Sequence, residues 1–157
     1  MAAFSTALLG RFNRILFAAL MALCLVAVLP AGAAPYAALV MDARSGKVLY
    51  ARNANTKLHP ASLTKMMTLY VTFQAVENGE ITMDTLVTVS RKAAAEPPSE
   101  LGVRAGQKIK LRYLVRAAAI KSANDASTAI AEAIGGSVAG FTRRMNQVAK
   151  QMGMNRT

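Results

Sequence analysis

The chain has 157 residues, enough for one domain with a sizeable core. Its formal charge of +11 suits an anionic partner (nucleic acid, an anionic membrane surface or an acidic polymer) or simply a solvated basic surface. The single cysteine, Cys24, excludes an internal disulfide and a metal site built on several thiolates.

The first 33 residues read as a signal peptide. Arg11 and Arg14 form a basic start, and an uncharged apolar run follows from Ile15 to Leu29. Pro30 breaks the run, and Ala31-Gly32-Ala33 fits the small-x-small cleavage pattern. The run is shorter than the roughly 20 residues a spanning helix needs, which favours cleavage after Ala33 over a membrane anchor. Cys24 lies inside the run behind Leu23, a poor context for a lipoprotein signal, and leaves with the leader. Without Arg11 and Arg14 the charge falls from +11 to +9. Export from the cytoplasm sets nucleic acid aside and leaves cell-wall polymer and anionic lipid head groups.

In the mature part, Ala37 to Ala43 reads as a strand, Arg44-Ser45-Gly46 as a turn and Lys47 to Arg52 as a second strand with period-2 alternation. Together they predict a β-hairpin. Asn53 to Pro60 is a polar connection. A helix should begin near Ala61-Ser62, with Leu63, Met66, Met67, Tyr70 and Phe73 at helical spacing and Gly79 as its stop. Leu69, Val71 and Val76 add apolar residues on its other faces, so burial on more than one side is expected.

Thr85 to Val89 is a short extended segment, and Pro97-Pro98 with Gly102 to Gly106 marks an irregular stretch. Leu111 to Ile120 predicts a helix with Leu111, Leu114, Val115 and Ala118 on one face. Lys121-Ser122-Ala123-Asn124 interrupts it. Asn124 or Asp125 can cap the next helix, which runs through Ile130 and Ile134 to Gly135-Gly136. A last helix carries Phe141, Met145, Val148 and Met152 and ends at Gly153. The expected plan is two strands followed by a mostly helical body.

Ser62-Leu63-Thr64-Lys65 is the sharpest local feature. Residues three apart share a helix face, so the Ser62 hydroxyl and the Lys65 amine can meet. A serine hydroxyl needs a base to take its proton, and a desolvated lysine amine can be that base. A helix N-terminus also offers amides to developing negative charge. The same four residues describe a capped helix start with a surface lysine. Ser122-Ala123-Asn124 could place a hydroxyl for proton relay and a carboxamide for a substrate amide in one cleft. Alone, it reads as a turn or helix cap.

The two motifs together resemble the signature of penicillin-binding proteins and β-lactamases, S-x-x-K followed by S-x-N. The segment Pro60-Ala61-Ser62-Leu63-Thr64-Lys65-Met66-Met67-Thr68 is similar to the nucleophile segment of the D-alanyl-D-alanine carboxypeptidase branch. So are Ala38 to Ala43 with Ser45 to Tyr50, Lys121 to Ala126, and Phe141 through Met145–Ala149 to Thr157. The resemblance runs in order along the whole mature chain. It implies an α+β, β-lactamase/transpeptidase-like fold, with an N-terminal β-hairpin, a mostly helical body and its C-terminal sheet strands missing. Residues 34–157 would be a partial penicillin-binding, transpeptidase-like peptidase domain.

By position, the resemblance implies Ser62 as acylated nucleophile, Lys65 as general base, Ser122 as proton shuttle and Asn124 as a substrate-binding residue. It implies peptidoglycan stem peptides ending in D-alanyl-D-alanine as substrates, β-lactams as acylating mimics, and no metal or organic cofactor. Ala123 stands where class A β-lactamases carry aspartate, which leans towards the carboxypeptidase branch. No Lys-Thr-Gly or Lys-Ser-Gly occurs in the chain, and Arg44-Ser45-Gly46 precedes the nucleophile. The third motif is therefore expected on a later strand, beyond Thr157. His59, the only histidine, reads as a connection residue, and Asp125 and Glu132 as capping and solubilising acids. Two other functions compete: a non-catalytic peptidoglycan-binding or penicillin-recognising fragment, and a β-lactamase. Glu132 falls too soon after Asn124 to be the deacylating carboxylate of the latter.

Overall fold

The computed structural model describes residues 36–157 together with Phe17, Ala19 and Met21. Apart from these three residues the expected signal peptide lies outside the described residues, as do its cleavage site and Cys24. β1 (Ala38–Met41) and β2 (Val48–Arg52) pair antiparallel, with Leu39 opposite Ala51 and Val40 opposite Tyr50. Asp42 builds the turn. Its Oδ1 accepts the Ser45 amide at 2.7 Å and the Ser45 hydroxyl at 2.6 Å, and Gly46 supplies the left-handed residue at φ +70°. Both faces of the hairpin are open: Val40, Leu49 and Tyr50 are all exposed.

A 3₁₀ turn, Ala61–Leu63, leads into α1 (Thr64–Glu77). The apolar stripe predicted to face the core is largely exposed, with Leu63 at 65% and Met66 at 69%. The buried stripe is Thr68, Val71, Thr72 and Ala75. Threonine can enter a core here because the Thr72 hydroxyl donates to the Thr68 carbonyl at 2.7 Å, which leaves no unpaired donor. The small side chains on this stripe face the helices that α1 packs against.

A second two-stranded sheet joins β3 (Leu86–Thr88) to β4 (Lys108–Lys110). β4 was not expected, since one apolar residue between two lysines carries no readable period. Between them lies α2 (Arg91–Ala94), started by the Ser90 hydroxyl accepting the Ala93 amide at 2.9 Å. α3 (Leu111–Arg116) follows β4 directly and ends in a π turn, Ala117–Lys121. Its four predicted core residues, Leu111, Leu114, Val115 and Ala118, are all buried.

α4 (Asn124–Gly135) and α5 (Val138–Gln151) form a tight helical pair. Gly136 at φ +67° turns the chain, and a Cβ on Gly135 or Gly140 would collide with the backbone of the opposite helix end. α1 packs on α4 and α5. One core runs between these elements, α3 and β3, filled by Val71, Val87, Leu111, Leu114, Ile130 and Phe141. A bidentate pair from Arg144 to Glu80, at 2.6 and 2.9 Å, ties α5 to the loop after α1. The architecture is α+β, and no helix among the described residues is long and apolar enough to cross a membrane.

Candidate active site

Two helix starts meet. Lys65 is the second residue of α1 and Asn124 the first of α4. The Lys65 amine donates to Asn124 Oδ1 at 2.7 Å, across 59 positions of sequence. The positive ends of both helices therefore converge on one spot, where they favour negative charge. Asn124 is fixed from its other side as well: its Nδ2 donates to the Pro97 carbonyl at 2.8 Å, and its backbone amide to the Ser99 carbonyl at 2.7 Å.

Ser62 lies exposed in the 3₁₀ turn that precedes α1. The residue before it, Ala61, has φ +47°, a conformation that alanine rarely adopts. Among the described residues no hydrogen bond joins Ser62 to Lys65.

Ser122 is held in the left-handed region, at φ 58° and ψ 35°. The π turn forces this geometry: the Ala123 amide closes back on the Ala117 carbonyl at 3.1 Å, and the chain must reverse before α4 begins. The Ser122 hydroxyl is buried and has no hydrogen-bond partner among the described residues. A buried, unpaired hydroxyl costs about 1–3 kcal/mol. Of the three described non-glycine residues at positive φ, Ala61 and Ser122 belong to this region. Backbone strain gathered at one place is ground for asking what this region does.

The expectation that Asn124 or Asp125 caps α4 is corrected. Ala123 occupies the cap position, and no side chain caps it. Nor does Asp125 solubilise the helix, for it is 1% exposed. Its carboxylate accepts the amides of Leu101, Gly102, Val103 and Ala126. Burial pushes its pKa up, but these four amide bonds outweigh burial and hold it below the usual carboxylate value. The roles of Asp125, Pro97 and Ser99 were not foreseen. The only signal in the sequence was an acid beside Asn124 and a proline pair of no evident purpose.

His59 is exposed in the connection ahead of Ser62, and Glu132 is half-buried on α4. Among the described residues no group of three or more His, Cys, Asp or Glu could hold a metal ion. An apolar groove of about 730 Å³ lies beside the site, between α1 and α5, lined by Leu63, Met66, Tyr70, Met145 and Met152 among others.

A lysine bound to an asparagine at two converging helix starts, with Ser62 following a strained Ala61 and a strained Ser122 two residues before Asn124, suits acyl transfer through a serine. A family model for D-alanyl-D-alanine carboxypeptidases matches residues 27–157, and the chain belongs to that family. It is 38% identical over 120 residues to the D-alanyl-D-alanine carboxypeptidase DacF of Bacillus subtilis, covering 76% of this chain and 31% of that one. The structure resembles the D-alanyl-D-alanine carboxypeptidase DacD of Francisella tularensis, with a TM-score of 0.71 and 41% identity over 77% of this chain and 29% of that one. It also resembles penicillin binding protein 5 of Haemophilus influenzae, with a TM-score of 0.72 and 34% identity over 83% of this chain and 39% of that one. The fold is thus the transpeptidase-like α+β fold expected from the motifs. The chain spans about a third of the length of these relatives.

Proposed function

We propose that these residues form the nucleophile-bearing part of a serine D-alanyl-D-alanine carboxypeptidase that acts on peptidoglycan stem peptides in the periplasm and is acylated by penicillin. The observation that carries this reading is the 2.7 Å bond between Lys65 and Asn124, which unites the two motifs in one place.

In the proposed reaction Ser62 Oγ attacks the carbonyl carbon of the penultimate D-alanine. The Lys65 amine takes the hydroxyl proton, and Asn124 holds that amine in place through Oδ1. The amides at the start of α1 face the negative charge that develops on the carbonyl oxygen. Collapse of the intermediate breaks the C–N bond, and Ser122 passes a proton to the departing D-alanine amine. Water then releases the peptide from Ser62. The unpaired Ser122 hydroxyl is consistent with a group that waits for a substrate partner. The strand that binds the substrate carboxylate, with its Lys-Thr-Gly, is assigned to the part of the relatives' length that these 157 residues do not span. The basic surface suits anionic wall polymer and the inner-membrane surface.

The test is fluorescent penicillin on the natural gene product and on its Ser62→Ala and Lys65→Ala variants. Label at Ser62 is expected in the unchanged protein only. Persistent labelling of a folded Ser62→Ala variant would show another nucleophile. Binding to purified sacculi with no label at Ser62 would instead support a peptidoglycan-binding protein without turnover.

A further inference from the structure

The segment from Pro97 to Val103 has no helix or strand of its own, yet it touches the candidate site at several points. The Pro97 carbonyl accepts from Asn124 Nδ2, and the Ser99 carbonyl from the Asn124 amide. The Ser99 hydroxyl donates to the Lys121 carbonyl at 2.7 Å, just ahead of Ser122. What fastens this segment is Asp125. Its Oδ1 accepts the amides of Leu101 at 2.8 Å and Ala126 at 2.7 Å. Its Oδ2 accepts those of Gly102 at 2.8 Å and Val103 at 3.2 Å. Three consecutive amides of an otherwise irregular segment thus converge on one buried carboxylate.

We infer that Asp125 is a positioning residue for the acylation proposed above, acting through Asn124: it pins the Pro97–Val103 segment against the start of α4, and that segment fixes which way the Asn124 carboxamide faces. The inference rests on the serine-acylation reading and adds a residue to it. Donors and acceptors decide the orientation. A carboxamide carries one accepting and one donating end. The Pro97 carbonyl can only accept, so it claims the Asn124 NH₂ group. That leaves Oδ1 for the Lys65 amine, which donates. If the segment swings away, nothing selects this orientation. A turned carboxamide presents its NH₂ to the lysine, donor facing donor, and the amine loses its anchor. Position in the chain supports the same conclusion. Asp125 directly follows Asn124, so one helical turn carries both the side chain to be oriented and the group that secures its orienter.

Asp125→Asn tests the inference, because it keeps size while turning one accepting oxygen into a donor that faces two amides. The measurements use the natural gene product: the acylation rate with a fluorescent penicillin, resolved into pre-acylation binding and chemical step, the melting temperature, and hydrogen exchange at Leu101 to Val103. A loss of at least about tenfold in the chemical step is expected, with binding changed by less than about twofold. Exchange at the three amides should quicken. In an Asn124→Ala background, Asp125→Asn should add less than about twofold, since its effect runs through Asn124. Losses that multiply instead, or an unchanged chemical step, would overturn the inference and leave the serine reading standing. If Asp125→Asn does not fold, Ser99→Ala takes its place in the same cycle, because it loosens the segment and leaves no buried donor against the amides. A slowed chemical step that Asn124→Ala masks then supports the inference, and multiplying losses or an unchanged step overturn it. Absence of label at Ser62 in the unchanged protein would overturn both the reading and the inference.

Discussion

Lys65 and Asn124 lie 59 positions apart and are joined by a hydrogen bond of 2.7 Å, the contact through which α1 and α4 share one site. Asn124→Ala removes the acceptor from a half-buried amine and the donor from the Pro97 carbonyl. Each lost bond is worth about 1 kcal/mol of stability. The larger effect should fall on chemistry, because the lysine amine loses its orientation. Acylation by penicillin should drop by about 10–100-fold, with a melting temperature lowered by only a few degrees. Asn124→Asp is the sharper probe. It keeps an acceptor for Lys65 but sets a carboxylate oxygen against the Pro97 carbonyl, so it should restore little of the lost rate.

Asp125 makes stability depend on acid. Burial raises its pKa, but the amide bonds of Leu101, Gly102, Val103 and Ala126 outweigh it, and the folded value lies below the ordinary aspartate value of 3.8. The unfolded chain therefore binds the proton first. The carboxylate contributes stability above the unfolded pKa, and that contribution is lost as pH falls through the folded pKa. Denaturant melts at falling pH should show a decline setting in near pH ~4 that is shallower in Asp125→Asn. Asp42, Glu80 and Asp84 also have lowered values, from hydrogen bonds with Ser45, Arg144 and Lys110 respectively, and act in the same direction. They sit at the surface, where salt screens the ion pairs of Glu80 and Asp84. The part of the slope that survives high salt and vanishes in Asp125→Asn belongs to Asp125.

Much of this arrangement is legible from local pattern. Alternation in Val48-Leu49-Tyr50 and the Arg44-Ser45-Gly46 turn define the hairpin, and spacing alone puts Ser62 and Lys65 near one helix start. Leu111, Leu114, Val115 and Ala118 fall on a buried face as their period requires. What local pattern misses depends on partners distant in sequence. β4 is three residues long and exists because β3 offers it a ladder. The face of α1 is misjudged because threonines that bond their own helix can be buried, while Met66 and Phe73 remain uncovered. Asp125 is misread because three of the four amides it binds lie 22 to 24 positions earlier, in a segment with no period at all.

The uncovered apolar surface has a measurable consequence. Val40, Leu49 and Tyr50 on the hairpin and Leu63, Met66 and Phe73 at or on α1 are all exposed. Patches of this kind drive association unless something covers them. Residues 36–157 produced alone should bind a hydrophobic dye and scatter light at micromolar concentration. Leu49→Lys with Met66→Lys should reduce both signals. The two positions are already exposed, so stability should stay within the range of about 0.5 kcal/mol typical of surface changes. Clear, dye-free solutions of the unchanged piece would show that it covers this surface by itself.

Ser122 should give up stability for reactivity. Its backbone sits at φ 58° and ψ 35°, and its hydroxyl is buried without a partner among the described residues. The left-handed conformation costs a non-glycine residue about 1–2 kcal/mol, and the unpaired hydroxyl adds a further penalty. Ser122→Gly removes both. The greater freedom of glycine in the unfolded chain offsets about 0.5–1 kcal/mol of the gain. The net result should be a more stable protein by about 1 kcal/mol, a rise of a few degrees in melting temperature. Ser122→Ala removes the hydroxyl and keeps the strained backbone, so its gain should be smaller. Both variants should lose the proton relay proposed for Ser122, and turnover of a D-alanyl-D-alanine peptide by the natural gene product should fall by about 10²–10⁴-fold. The two readouts move in opposite directions, which separates them from a simple folding defect. A glycine variant less stable than the serine would show that no strain is held at Ser122, and unchanged turnover in a stabilised variant would remove its hydroxyl from the reaction.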